Sequence, residues 1–109
     1  MNIAIYEKLK EVARAKDLTN YTEVGRLADL DMSTDVGRIR IAQLLDEINQ
    51  YEDSEGRPII SALVKLKNAE MPGSGFFVCA QGLGKYQGGD DLAFWIQEVK
   101  RVHNYWQNH

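Results

Sequence analysis

Two apolar runs on either side of a proline-glycine turn constrain the fold more than any other feature of this sequence. In the first run, residues 57–67, apolar side chains recur at every second position: Ile60, Ala62, Val64 and Leu66. Because successive side chains of a β-strand point to opposite faces, this alternation predicts a half-buried strand. The second run, residues 76–80, is aromatic and β-branched and predicts another strand. Pro72-Gly73 favours a turn between them, so the two runs together predict a β-hairpin.

Helices are predicted before and after the hairpin, and they would cover its apolar face. Apolar residues at spacings of three and four predict helices over residues 3–16, 21–30 and 34–51, and a long last helix from residue 92. Residues that can cap the later helices precede them: Asn20, Ser33 or Thr34, and Asp90 or Asp91. We therefore predict an α+β fold in a single domain, residues 1–109, with three helices, a two-stranded β-hairpin and a long C-terminal helix.

This order of elements resembles the winged helix-turn-helix class. The segment at residues 22–27 (Thr-Glu-Val-Gly-Arg-Leu) is similar to the start of the first helix of that motif. The resemblance implies a winged-helix-like domain in which residues 34–51 form the recognition helix and residues 63–78 form the wing. It also implies that DNA is the partner.

Within that class, residues 20–24 (Asn-Tyr-Thr-Glu-Val) are similar to the corresponding stretch of the DNA-binding domain of alkylguanine alkyltransferases. Those enzymes carry a Pro-Cys-His-Arg nucleophile motif after the recognition helix. The nearest stretch here, residues 57–61, reads Arg-Pro-Ile-Ile-Ser and has neither cysteine nor histidine. The resemblance therefore implies DNA binding without alkyl transfer, and no catalytic residue is carried over.

Composition indicates the cellular setting. The chain has one cysteine, Cys79, so it cannot form an internal disulfide. It has no apolar run of about 18 residues and no basic-then-apolar N-terminus, which predicts neither a membrane span nor a signal peptide. We therefore expect a cytoplasmic protein that does not bind membranes.

Three patterns associated with catalysis or cofactors have more ordinary explanations. The glycines at residues 82, 84, 88 and 89 lack the spacing and the parallel-sheet unit of a dinucleotide-binding loop, and they indicate a flexible loop instead. Cys79 lies in an apolar run without the positive surroundings that form a thiolate, which disfavours a catalytic pair with His103. One cysteine and two histidines are too few for a metal centre. We predict no enzymatic activity, no cofactor and no metal ion.

The first hypothesis for function is a non-catalytic binding module that acts on DNA or within a DNA-handling assembly. The contacts would come from the start of the recognition helix and from the wing: Ser33, Thr34, Arg38, Arg40, Lys65 and Lys67. Three acids in the same turn, Asp29, Asp31 and Asp35, would oppose a phosphate there.

The second hypothesis starts from the uneven charge of the chain, whose net value is −3. Residues 17–57 contain ten acids and four bases, whereas four acids and five bases follow. A bacterial or phage inhibitor of the antitoxin, immunity or anti-defence type could present such acids to a basic nucleic-acid enzyme. The protein-binding residues would then be the acids of the third helix and the loop after it: Asp46, Glu47, Glu52, Asp53 and Glu55. A solvated loop is the ordinary alternative for the same acids, and the sequence leaves the oligomeric state open.

Overall fold

A computed structural model describes residues 1–109 and contains five α-helices, one 3-10 helix and two very short strands. The helices are α1 (Ile3–Arg14), α2 (Tyr21–Arg26), α3 (Asp35–Ser54), α4 (Ser74–Gly82) and α5 (Asp91–Gln107), and the 3-10 helix is Ile60–Leu63. The strands β1 (Thr19–Asn20) and β2 (Val64–Lys65) pair in parallel, with Thr19 opposite Val64. No helix is both long enough and apolar enough to cross a membrane.

The winged-helix-like α+β prediction is wrong. Instead of the first long strand, the chain forms the 3-10 helix Ile60–Leu63 followed by β2, and β2 pairs with β1 rather than with residues 76–80. The physical reason is burial on every side: Ile59, Ser61 and Leu63, which the alternating pattern assigned to the outer face, are also buried. This segment packs against α1, α3 and α5 at once, so it has no solvent-facing side.

The second predicted strand is also wrong, because residues 76–80 lie in α4. Phe76, Phe77 and Ala80 are buried at helical spacing, while Val78 is 66 % exposed and Cys79 is half-buried. A five-residue apolar run fits a buried strand and a helix equally well, and periodicity alone does not distinguish them. No hairpin and no wing exist, so Lys65 and Lys67 do not lie on a wing.

The predicted helix starts are confirmed where local hydrogen bonds define them. The side chain of Asn20 accepts from the Glu23 amide at 3.0 Å, Thr34 accepts from Gly37 at 3.0 Å, and Asp90 accepts from Ala93 at 3.0 Å. Each cap satisfies an amide that the first turn of a helix would leave unpaired. α2 is shorter than predicted, and α3 extends to Ser54.

Side chains from the surrounding helices satisfy the polar groups of the central segment. The carboxylate of Glu98 on α5 accepts from the Ile59 amide at 3.0 Å, and the Trp95 indole donates to the Ala62 carbonyl at 2.8 Å. From the opposite side, Asn49 on α3 bonds Ser61 through both its amide nitrogen and its amide oxygen. Residues 59–64 therefore form the centre of the molecule, held between α3 and α5.

Candidate ligand-binding cleft

A cavity of about 420 Å³ lies between α3, the start of α2 and the stretch from Leu66 to Phe76. We call this cavity the cleft. One face of α3 lines it, with residues three or four apart: Arg38, Ile41, Ala42, Leu45, Asp46 and Asn49. Its volume is at the lower end of the range for small-molecule sites, which is roughly 300–1,000 Å³.

The walls of the cleft are apolar. Met32, Ile41 and Leu45 line one part of it, and Leu66 and Phe76 line another. The pairing of β1 with β2 brings the start of α2, where Tyr21 and Thr22 line the cleft, close to the stretch after β2. An apolar wall suits a flat, weakly hydrated group.

The polar part of the cleft is built on Asn49 and Ser61. The Asn49 side-chain nitrogen donates to the Ser61 hydroxyl at 2.7 Å, and the Ser61 amide donates to the Asn49 side-chain oxygen at 3.2 Å. The same Asn49 nitrogen lies 3.6 Å from the Cys79 sulfur. Asn49 is fully buried, so this pair of bonds holds Ser61 rigidly where it lines the cavity.

Two ionisable groups beside Asn49 have raised pKa values. Burial raises the pKa of Asp46, and the neighbouring Cys79 thiol partly opposes that rise. Burial also raises the pKa of Cys79 to about 11, with a smaller opposing effect from Asn49 and a smaller reinforcing effect from the Asp46 carboxylate. The thiol is therefore protonated at neutral pH, which disfavours a role as nucleophile.

Cys79 and His103, the pair considered for catalysis, have different partners. His103 contacts the carbonyl of Asp17 at 2.9 Å, whereas Cys79 contacts Asn49.

Two of the residues predicted to contact DNA lie together in the cleft. Arg38 from α3 and Lys67 from the stretch after β2 both line it. Arg38 donates to the Asp35 carboxylate at 2.5 Å and to the Met32 carbonyl at 3.2 Å. Lys67 is exposed and forms no ion pair within 4.0 Å. Lys67 thus brings an unpaired positive charge to the cleft, whereas the charge of Arg38 is balanced by Asp35.

The other four predicted DNA contacts lie outside the lining of the cleft. Ser33 bonds Asp31, and Thr34 caps α3 and also donates to the Asp31 carbonyl. Arg40 donates to Gln43 farther along α3, and Lys65 donates to the Ala69 carbonyl at 3.4 Å. Their polar atoms mainly satisfy groups of the protein itself.

The five acids of the inhibitor hypothesis do not share one surface. Glu52 is fully buried, and Asp46 lines the cleft. Glu47 lies 3.5 Å from the N-terminal amine, and Asp53 lies 3.6 Å from the Lys85 amine. Only Glu55 is exposed without an ion pair.

A second cavity, of about 400 Å³, lies beside Pro58 on the other side of the central segment. Its lining contains three cations, each within 4.0 Å of a carboxylate: Arg57 with Glu52, Lys85 with Asp53, and Arg101 with Glu98. Because these charges are already paired, this cavity has less capacity to bind an added anion. No group of three or more metal-ligating side chains comes together anywhere in the chain.

Sequence reasoning missed the residues that shape the cleft, above all Asn49, Ser61 and Phe76. A usable signal existed for Asn49, a polar residue within the apolar periodicity of α3. None existed for Ser61 or Phe76, because both were assigned to strands. Comparison with protein-family models, with curated proteins and with solved structures finds no match.

Proposed function

We propose that this chain is a non-catalytic DNA-binding module that takes an unpaired nucleotide of a single strand into the cleft. The observation that carries the proposal is that Arg38 and Lys67, which come from distant parts of the sequence, line one cavity with largely apolar walls. Cationic side chains bind the phosphates of a nucleic acid, and apolar and aromatic surfaces bind its bases. The cleft offers both kinds of surface next to each other.

Each part of a nucleotide has a matching surface in the cleft. The half-buried Met32 and the exposed Leu66 can take the face of a base through apolar contact. Lys67, which forms no ion pair, can take a flanking phosphate, and Arg38 can take another only with the guanidinium N–H groups that Asp35 and Met32 leave free. A base within a duplex is stacked and cannot enter such a cavity without leaving the helix, so a single strand is the favoured partner.

The charge of the protein limits the strength of this binding. The net charge is −3, and Asp35 already pairs with Arg38. Phosphate contacts are therefore few, and each contact to a single strand contributes only about 0.7 to the slope of log K against log salt. We expect modest affinity with a shallow dependence on salt.

The inhibitor hypothesis has less support. It needs a continuous acidic face, whereas Glu52 is buried and Glu47 and Asp53 have cationic partners. Only the DNA hypothesis makes use of the cleft.

The proposal is tested by fluorescence anisotropy with a labelled random-sequence DNA strand across a salt series. Lys67→Ala is expected to weaken binding several-fold and to lower the salt slope by about 0.7, because one phosphate contact is lost. Lys100→Ala is the matched control: this lysine is exposed on α5 and outside the cleft, so the variant loses the same charge elsewhere. Absence of binding at low salt, or equal losses in both variants, would contradict the proposal.

A further inference from the structure

Asp46 is the only acidic residue that lines the cleft. It takes part in none of the ion pairs of the protein, although Arg38 and Lys67 line the same cavity. Its neighbours on the cleft-facing side of α3 are Ala42, Leu45 and Asn49. A carboxylate thus faces a largely apolar cavity with no cation within 4.0 Å of it.

A partly desolvated carboxylate needs hydrogen-bond donors. An ionised carboxylate only accepts hydrogen bonds, and leaving its oxygens without donors away from water is costly. The Cys79 thiol beside Asp46 is a weak donor. A ligand in the cleft therefore binds best when it directs N–H groups at Asp46, and a ligand that directs a carbonyl oxygen there is repelled.

We propose that Asp46 makes the cleft selective for an unpaired base that carries an exocyclic amino group, such as cytosine, over one that carries a carbonyl at the same position, such as uracil. This inference rests on the proposed function, since it assigns the base that the cleft accepts. A hydrogen bond from the cytosine N4 amine to an Asp or Glu carboxylate is an established contact in nucleic-acid recognition. Uracil has a carbonyl oxygen at that position, and this oxygen would face the negative charge unless the base shifts so that its N3–H donates to Asp46 instead.

The test compares an oligo-deoxycytidine with an oligo-deoxyuridine of the same length, about ten nucleotides, at one low salt concentration. Neither strand has a thymine methyl group, and both present pyrimidines, so the main difference lies at base positions 3 and 4. The wild-type protein is expected to bind the cytosine strand about fivefold tighter or more, as one good base contact would give. The ratio of the two Kd values is compared between variants, rather than either Kd alone. Removing the negative charge of Asp46 strengthens binding of any DNA strand and leaves the ratio unaffected unless Asp46 distinguishes the bases.

Asp46→Asn is expected to bring this ratio close to one, since the amide can donate to the uracil carbonyl as well as accept from cytosine. Glu47→Gln, on the same helix but outside the cleft, is the matched control and is expected to keep the wild-type ratio. Circular dichroism and thermal unfolding of both variants establish that they are folded.

The outcomes separate the two claims. Equal binding of both strands by the wild-type protein, or preference for uridine, overturns the role of Asp46 and leaves the cleft as a DNA site. A cytosine preference that persists in Asp46→Asn also overturns it. If neither strand binds at low salt, the proposed function fails, and the inference fails with it.

Discussion

At the scale of single residues, the buried carboxylate of Glu52 is the group most dependent on its partners. It accepts from the Tyr6 hydroxyl at 2.5 Å and pairs with Arg57 at 3.0 Å, and one of its oxygens has no partner. Burial is the largest cause that raises the pKa of Tyr6, and hydrogen bonding to Glu52 raises it further. Arg57 also lies over the rings of Tyr51 and Trp106. One side chain therefore balances the buried charge and covers two aromatic rings.

Arg57→Ala is expected to lower the free energy of unfolding by about 3–5 kcal/mol, because it leaves Glu52 buried without a counter-charge. Arg38→Ala is the control, since the Arg38–Asp35 pair is exposed and such pairs contribute at most about 1 kcal/mol. Urea unfolding monitored by circular dichroism measures both. Equal losses of unfolding free energy in the two variants would show that the loss in Arg57→Ala does not come from leaving Glu52 buried without a counter-charge.

Cys79 allows a second prediction at this scale. Its pKa rises from the ordinary value of 9.0 to about 11, mainly through burial. Only the thiolate reacts with iodoacetamide, and a thiolate of higher pKa is intrinsically more nucleophilic, so alkylation near neutral pH is expected to be roughly tenfold to 100-fold slower in the folded protein than in urea. The rate measured against pH should still be rising at pH values where an ordinary thiol has levelled off. A plateau below pH 9 in the folded protein would contradict the burial of the thiol.

At the scale of elements, the helix starts could be predicted from the sequence and the central segment could not. Asn20, Thr34 and Asp90 act on amides three residues away, so their effect is present in the sequence itself. The 3-10 helix that replaces the predicted strand over residues 60–63 has no such local cause in the sequence. Ser61 is polar, yet it is buried because Asn49, on another element, supplies its partner. Sequence periodicity contains no information about that partner.

The turn between α2 and α3 depends on a glycine. A Cβ atom on Gly37 would lie 2.1 Å from the Asp31 carbonyl oxygen, so any side chain there forces the turn away from α3. Gly37→Ala is expected to lower the free energy of unfolding by about 1–3 kcal/mol, despite the better helix propensity of alanine. Gly82→Ala at the end of α4, where the added atom meets nothing within 4 Å, should be neutral or slightly stabilising. Thermal unfolding of both variants tests this contrast, and similar melting temperatures would contradict it.

At the scale of the whole molecule, the core and the cleft share the same residues. Asn49 and Ser61 belong both to the central segment's hydrogen bonds and to the lining of the cleft. The two basic residues that the sequence placed on a recognition helix and on a wing, Arg38 and Lys67, line one cavity in a different arrangement, in which α2 contacts both α3 and β2. The sequence could identify them as basic residues, but their shared cavity depends on these contacts between elements, which no local pattern predicted.

This arrangement predicts that the polar part of the cleft opens only when the whole protein unfolds. The amides of Ile59 and Ser61 donate to side chains of α5 and α3, and neither bond belongs to a helix or a strand ladder. Amides of irregular segments usually exchange by local opening. Here such opening would expose Ile59, Ile60 and Leu63 and break contacts with three helices, so it costs as much as global unfolding. Native-state hydrogen exchange is expected to give both amides the free energy of global unfolding. A lower value for Ser61 alone would contradict this prediction, because it would mean that the Asn49–Ser61 pair opens while the rest of the core stays folded.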